Sequence, residues 1–103
     1  MTQMEGIMYA RITTFDTDPK KYKDAKALAK KLKPEVMSLP GIKYWFDAGN
    51  EDGKGIIIAI YDSKESSQAA LPAARGIFAK YSEYMESEPQ PQGFDVFVHG
   101  TNP

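Results

Sequence analysis

The apolar positions of this chain switch between strand-like and helix-like spacing, and each switch marks the boundary of a predicted element. Residues 7–15 are rich in β-branched and aromatic side chains and predict a first strand. Asp18 and Pro19 then offer a helix cap and a first-turn proline, which predict the start of helix one. An apolar stripe at helical spacing follows, formed by Tyr22, Ala25, Leu28, Ala29 and Leu32. Pro34 disfavours a helical conformation at Lys33, so we expect helix one to end or kink there.

Two further strands and a hairpin are predicted in the middle of the chain. Residues 42–48 and 55–61 each hold a run of apolar and aromatic side chains with turn-forming residues at its ends. The stretch GNEDGK between them is a polar loop, longer than the tightest two-residue turns. The two segments therefore predict strands two and three, joined as a hairpin.

Helix two and strand four complete the predicted order. Residues 62–65 (DSKE) offer a carboxylate or hydroxyl cap with the spacing of a capping box. We expect Pro72 to break this helix into a short piece near 64–70 and a longer piece near 73–86. After the loop SEPQPQG, residues 94–99 (FDVFVH) predict strand four.

The resulting order, βαββαβ, predicts a ferredoxin-like α+β fold. Two right-handed crossovers give a four-stranded antiparallel sheet of order 4-1-3-2, with both helices on one face. The length of 103 residues suits a single domain. We expect that domain to cover residues 7–100, between a flexible tail at 1–6 and a C-terminal tail at 101–103.

Strand three is apolar on both of its faces, whereas a sheet with one solvated face alternates between apolar and polar positions. One face carries Ile56, Ile58 and Ile60, and the other carries Ile57, Ala59 and Tyr61. Strand two places Ile42, Tyr44 and Phe46 opposite Trp45. Because the helices can cover only one face, we expect a second copy of the chain to cover the other in a homodimeric α+β barrel.

Composition and charge narrow the classes of function. The net charge of −1 gives no general attraction to nucleic acid or to an acidic membrane surface, so neither is an expected partner. The chain has no cysteine and one histidine, which argues against a catalytic metal site and a disulfide framework. The N-terminal residues lack the apolar core of a signal peptide, and we expect a cytoplasmic protein that uses no cofactor.

With these features the sequence resembles the antibiotic biosynthesis monooxygenase-like domains of the dimeric α+β barrel superfamily. The similarity rests on LPGI before strand two, DG in the hairpin, an apolar strand three ending in Tyr61, and DSKES at the start of helix two. It extends over residues 7–99. These motifs are structural, so they speak for the fold more than for the chemistry.

The resemblance implies several kinds of activity. Its members include cofactor-independent oxygenases acting on aromatic polyketides and quinols, haem-degrading enzymes, and small proteins without a known reaction. The haem-degrading members use an Asn on strand one with a Trp and a His on helix two. The corresponding positions here lie near Ala10, Ala70 and residues 79–80, and none of them matches. The resemblance therefore argues against haem degradation.

Arg11 and His99 are the candidate catalytic residues. Arg11 interrupts an apolar central strand, and its guanidinium can hold a carboxylate, a phenolate or an anionic oxygen intermediate. The alternative is an arginine that is paired with a local carboxylate or extends to water. His99 has the side chain suited to proton transfer near neutral pH, and its alternative is an exposed position near the C-terminus.

Aromatic side chains offer a flat pocket between sheet and helices for a planar ligand. The candidate ligand-binding residues are Tyr9, Arg11, Trp45, Tyr61, Phe78 and Tyr81. The alternative for most of them is plain core and dimer interface. The lysines of helix one suit either a solvated outer face or an acidic partner; they are Lys20, Lys21, Lys23, Lys26, Lys30, Lys31 and Lys33.

Two functions from different classes follow. The first is a monooxygenase-like protein that binds a small aromatic or quinol-type molecule and oxidises it without metal or flavin. The second is a non-catalytic homodimer that serves as a small-ligand binding or assembly module. A cavity of about 300 Å³ or more, lined by Arg11 or a tyrosine, favours the first function, and a closely packed interior favours the second.

Overall fold

The computed structural model describes residues 7–103, and the tail expected at residues 1–6 lies outside them. Four strands and two long helices follow one another in the order βαββαβ. They are β1 (Tyr9–Asp16), α1 (Tyr22–Met37), β2 (Ile42–Gly49), β3 (Lys54–Tyr61), α2 (Lys64–Ala79) and β4 (Gln90–Asp95). The strands form one antiparallel sheet of order β2-β3-β1-β4, which confirms the predicted fold and strand order.

Both helices begin where the sequence supplies a polar cap. The Asp18 side chain accepts a hydrogen bond from the Lys20 amide at 3.0 Å, and a 3₁₀ turn (Pro19–Lys21) leads into α1. At α2 the cap is the hydroxyl of Ser63, which accepts from the Ser66 amide at 3.0 Å. The hydroxyl, and not the preceding carboxylate, therefore starts the second helix.

The expected end of helix one at Pro34 is wrong, because α1 continues through this proline to Met37. A proline inside a helix deprives the carbonyl four residues earlier of its donor. Here that carbonyl belongs to Lys30, and both residues are exposed, so water can satisfy it. Leu32 and Val36, which are buried on the opposite side, hold the helix on the sheet across the proline.

The expected break at Pro72 is also wrong. α2 is one continuous helix from Lys64 to Ala79, and a separate 3₁₀ turn (Ser82–Tyr84) follows it. Pro72 faces solvent, whereas Ala70 and Ile77 are buried on either side of it. As in α1, tertiary packing of the apolar face outweighs the local cost of the proline.

Strand four lies earlier in the chain than predicted, at Gln90–Asp95 and not at residues 94–99. Its register explains the difference, since Asp95 pairs with Tyr9, the first residue of β1. Pro91 lies within this strand, which is tolerated because β4 is at the edge of the sheet. The Val96 amide adds one more bond, 3.0 Å to the Met8 carbonyl, beyond the strand.

A β-bulge changes the side to which Ile42 points. The register of β2 on β3 shifts between Ile42 and Tyr44. Ile42 therefore packs against the core beneath the helices, on the same side as Trp45, and the expectation that it lies opposite Trp45 is wrong. Tyr44 and Phe46 keep the predicted side and are exposed there.

The core lies between the helices and the inner face of the sheet. Leu32 and Val36 of α1 pack there with Ile77 and with Tyr81, and Ala59, Tyr61 and Ala70 form a second buried cluster. Trp45 packs partly buried against both clusters. The lysines of helix one point outward and are all exposed, as the solvated-face interpretation predicts.

The other face of the sheet, called the open face below, is apolar and has no layer of helices over it. The alternation of the paired strands places seven large apolar side chains there: Ile12, Tyr44, Phe46, Ile56, Ile58, Ile60 and Phe94. Phe46 is 56% exposed and Phe94 45%. Among the described residues, no helix is long and apolar enough to cross a membrane.

Gly53 closes the hairpin in a conformation that only glycine adopts easily, and it provides a test of this turn. Its φ is +91°, and an added Cβ would collide with the Thr17 carbonyl. We expect Gly53→Ala to lower the free energy of unfolding by at least about 2 kcal/mol, measured by denaturant titration.

Gly76 is the matched control for this substitution, because a Cβ added there meets nothing within 4 Å on the exposed side of α2. Gly76→Ala should raise the free energy of unfolding by about 0.5–1 kcal/mol, since alanine is the better helix former. Equal effects of the two substitutions would contradict the assigned turn.

Candidate functional site

A groove runs along the helix side of the sheet where β4 lies uncovered. α2 packs against β1 and β3, while all six residues of β4 are exposed. The register turns Pro91, Gly93 and Asp95 toward the helix side. Pro91 lines the space that remains between β4 and the second helix.

This groove, called the Arg11 groove below, has a volume of about 480 Å³. Its lining includes Arg11 and Thr13 from β1, Arg75 and Phe78 from α2, Met85, and Glu88 near the mouth. The volume lies in the range of small-molecule sites, which is about 300–1,000 Å³. The groove therefore meets the size criterion that favours a ligand-binding function.

The interior itself is nearly filled. Directly between the helices and the sheet lies a cavity of only about 50 Å³, walled mainly by apolar side chains that include Val36, Ile42 and Trp45. Arg11, Thr13, Ala74 and Phe78 line both this cavity and the Arg11 groove. The groove thus has room for an aromatic molecule, whereas the inner cavity does not. These four residues separate the two spaces.

Arg11 presents a charge that no carboxylate in the described part of the chain neutralises. Its Nη2 donates a hydrogen bond of 2.9 Å to the hydroxyl of Ser67, a nearly fully buried residue of α2. Its Nε is buried without a hydrogen-bond partner in the described part of the chain. Within residues 7–103 no carboxylate lies within ion-pair distance of it. The guanidinium is therefore anchored at Nη2, and an anion from outside can approach it only at atoms other than the buried Nε.

Two tyrosines of the candidate set lie beside this guanidinium. The centre of the Arg11 guanidinium lies 5.7 Å from the centroid of the Tyr9 ring, a cation–π contact. The Tyr9 ring occupies the space that a side chain on Gly93 would fill. Burial raises the pKa of Tyr61, and the charge of Arg11 offsets part of that rise.

A second polar pair involves Tyr81, which lines the inner cavity. The Tyr81 hydroxyl donates to the Asp47 carboxylate at 3.1 Å, and Tyr81 packs its ring 6.2 Å from that of Phe78. Burial raises the pKa of Asp47, and the hydrogen bond from Tyr81 lowers it in part. Burial, the charge of Asp47 and this hydrogen bond together raise the pKa of the Tyr81 phenol well above its ordinary value.

The structure brings most of the candidate side chains to one place. Five line the inner cavity: Arg11, Trp45, Tyr61, Phe78 and Tyr81. Tyr9 does not line it but contacts Arg11 from the side. His99 lies after β4 and is exposed near the C-terminus, which is the alternative to a catalytic role given above. The two candidate catalytic residues therefore differ, since only Arg11 lies at the groove.

Sequence reasoning missed Asp47, Ser67 and Arg75. For Asp47 a signal was present, because strand alternation places it on the same inward side as Trp45, where a carboxylate is unusual. Ser67 is one of several small polar residues at the start of helix two, and nothing in the sequence distinguishes it. In residues 7–103 no three His, Cys, Asp or Glu side chains cluster to hold a metal ion.

Several solved structures have the same fold as this chain. A protein of unknown function from Nitrosomonas europaea superposes with a TM-score of 0.80 at 13% identity, over 97% of this chain and 99% of that one. A protein named a putative antibiotic biosynthesis monooxygenase, from Caulobacter crescentus, gives 0.75 at 16% identity, over 91% and 93%.

A third structure carries a ligand. It is a monooxygenase from the gene ActVA-Orf6 of Streptomyces coelicolor in complex with nanaomycin D, with a TM-score of 0.74, 14% identity and 94% of each chain covered. No protein-family model and no curated protein matches the sequence. At these identities the comparisons confirm that the chain has the fold of the antibiotic biosynthesis monooxygenases, as its resemblance implies.

The raised pKa of Asp47 predicts a pH dependence of stability. A carboxyl whose pKa is higher in the folded than in the unfolded state binds protons more readily when folded. The free energy of unfolding therefore falls as pH rises above 3.8, the ordinary pKa of this carboxyl. Asp47→Asn keeps an acceptor for Tyr81 and removes this titration. We expect the stability of Asp47→Asn relative to wild type to increase from pH 4 toward neutral pH.

Chemical denaturation at several pH values measures this difference, with Asp52→Asn in the exposed hairpin loop as the matched control. The control should show no such trend. A difference between Asp47→Asn and wild type that stays constant over this range would contradict burial as the cause of the shift.

Proposed function

We propose that this chain binds a small aromatic molecule with an anionic oxygen, of the quinol or anthrone type, in the Arg11 groove, and oxidises it with molecular oxygen. The observation that carries the proposal is the half-buried guanidinium of Arg11, which lines the groove without a carboxylate partner in the described residues. A phenolate or enolate oxygen is a partner of matching charge and hydrogen-bonding capacity.

The proposed chemistry uses the electrons of the substrate itself. A methylene group between aromatic rings becomes acidic when its anion is stabilised, and Arg11 would hold the oxygen on which that negative charge develops. The methylene then takes up O₂ and becomes a carbonyl, with release of one water molecule. This balance needs no external reductant. The nanaomycin D complex of the Streptomyces coelicolor monooxygenase supports a planar aromatic ligand for the fold.

The second candidate function is a binding or assembly module that performs no reaction. The interior cavity of about 50 Å³ favours it, because a closely packed interior leaves no enclosed space for a substrate. His99, the side chain best suited to proton transfer, lies away from the groove. Oxygen uptake distinguishes the two functions, since a module that binds quinols and anthrones consumes no O₂ with them.

Binding tests the role of Arg11 directly. Trp45 is the single tryptophan and lies next to the site, so its fluorescence reports a bound quinone by quenching. We expect Arg11→Ala to weaken binding of nanaomycin D by roughly 10–100-fold, the loss of one charged hydrogen-bonding partner. Arg11→Lys keeps the charge but not the planar fork, so its affinity should lie between those of wild type and Arg11→Ala.

Lys23→Ala, an exposed cation on helix one, is the control and should bind as wild type does. Equal affinities of Arg11→Ala and wild type would refute the anion-binding role. Binding without oxygen uptake over a panel of quinols and anthrones would leave the module as the function.

We also propose that the chain works as a homodimer, with the open faces of two copies packed against each other in a barrel. The support is the row of exposed apolar side chains there, including Tyr44, Phe46 and Phe94. Exposed patches of this kind on soluble proteins mark interaction surfaces, and identical sheets are self-complementary about a two-fold axis. The cytoplasmic location expected from the sequence stays a prediction.

A charge on the open face should separate the copies. Phe46→Lys places a buried, unpaired ammonium between the two sheets, and we expect a monomer at micromolar concentration by light scattering. Met37→Lys is the control, because Met37 is 39% exposed at the end of α1, on the helix side. A monomeric wild-type protein would overturn the proposed dimer.

A further inference from the structure

Both arginines of the chain line the Arg11 groove. The sequence has 13 lysines and arginines together, and only Arg11 and Arg75 among them are arginines. Arg11 reaches the groove from β1 and Arg75 from α2. The lysines all belong to the described residues, and none of them lines the groove. Because arginine pairs its planar fork with both oxygens of a carboxylate, the presence of both arginines at one groove favours an anionic ligand.

Arg75 lies on the stripe of α2 that faces the groove. Leu71, Ala74 and Phe78 line the same space, and together with Arg75 they have the spacing i, i+3, i+4 and i+7 of one helix face. Arg75 is exposed whereas Arg11 is half-buried, so the two charges differ in their access to water. The groove therefore presents one arginine to the solvent side and one to the inner side.

The two arginines are also separated along the groove. Arg11 is held beside Ser67 by their hydrogen bond of 2.9 Å, and Ser67 and Arg75 are eight residues apart in α2. At about 1.5 Å per residue, this spacing corresponds to about 12 Å along the helix axis. Leu71 and Ala74 lie between these two positions of the helix and line the groove with apolar side chains. The groove thus has an apolar stretch with a cation toward each end.

Neither arginine has a carboxylate partner within the described part of the chain. The ion pairs there join Lys54 to Asp16 and Lys80 to Glu35. In residues 7–103, Glu88 is the one carboxylate that lines the groove, and it lies within ion-pair distance of neither guanidinium. The lining therefore carries two positive charges and one negative charge. Since like charges repel, anions bound at both guanidinium groups would stabilise this arrangement.

We propose that the ligand of the Arg11 groove carries a carboxylate that Arg75 binds, in addition to the anionic oxygen held by Arg11. The inference rests on the proposed function and deepens it, because it narrows the substrate class to a carboxylic acid built on several fused aromatic rings. The rings lie along Leu71 and Ala74, between the two charges. Arg75 determines the affinity and the orientation of the ligand and takes no part in its oxidation.

A matched pair of anthraquinones tests this inference through the quenching of Trp45 fluorescence. Rhein carries a carboxylate where chrysophanol carries a methyl group, and the two molecules share their rings, carbonyls and phenols. We expect Arg75→Ala to weaken the binding of rhein roughly three- to tenfold, the effect of losing one partly exposed ion pair. Its affinity for chrysophanol should equal that of wild type. Arg75→Lys keeps the charge without the planar fork, so its affinity for rhein should be intermediate.

Two controls isolate the contact between Arg75 and the carboxylate. Lys64→Ala removes an exposed cation of the same helix that does not line the groove, and it should bind both ligands as wild type does. Added salt should weaken the binding of rhein more in wild type than in Arg75→Ala, because salt screens an exposed ion pair. Since Arg75 is exposed, Arg75→Ala should unfold in denaturant as cooperatively as wild type.

The outcomes separate this inference from the proposed function. If Arg11→Ala weakens the binding of both ligands and Arg75→Ala changes both affinities equally or not at all, the carboxylate inference fails and the role of Arg11 stands. If Arg11→Ala leaves both affinities unchanged, or wild type binds neither ligand, the proposed function fails and the inference fails with it. A loss confined to rhein in Arg75→Ala, with a loss for both ligands in Arg11→Ala, supports the two proposals together.

Discussion

A sheet that is apolar on both faces is the constraint on which the rest of this structure depends. β3 carries Ile57, Ala59 and Tyr61 on the inner face and Ile56, Ile58 and Ile60 on the outer face. The two helices are long enough to cover one face only, and they cover the inner one. Burial of apolar area is the dominant favourable contribution to folding and association, so the inner face drives folding, and in the proposed dimer the outer face would drive association. The same pattern thus determines the monomer's fold and its proposed quaternary state.

The Arg11 groove is a consequence of how the helices are placed over the sheet. α2 packs on β1 and β3, the two central strands, and leaves the edge strand β4 uncovered. Pro91 lines the groove from this strand, and the ring of Tyr9 lies across Gly93 beside Arg11. A larger residue in place of this glycine would displace the tyrosine and narrow the space beside the guanidinium. The site is therefore built at the margin of the core, where packing is incomplete, and not inside it.

The element order, the strand order and the two-faced character of the sheet could be predicted because they depend on alternation and helical spacing. The two helix breaks could not, because a proline has a local cost that the burial of Leu32, Val36, Ala70 and Ile77 outweighs, and that burial exists only in the folded chain. The position of β4 could not be predicted either, because it depends on the pairing of Tyr9 with Asp95, between two strands that are far apart in sequence. The contact of Arg11 with Ser67 joins residues 56 positions apart, so no local pattern reveals it.

The energetics of Arg11 favour a ligand over a purely structural role. A buried polar group without a partner costs about 1–3 kcal/mol, and the Nε of Arg11 is in that situation in the described residues. An apolar side chain would pack against Phe78 and Ala74 at this position without that cost. The open groove gives an anion access to the accessible part of the guanidinium and not to the buried Nε. The same argument does not apply to Asp47, whose carboxylate already accepts the hydrogen bond of Tyr81. Of Arg11 and Asp47, Arg11 is thus the group for which we propose a partner from outside the chain.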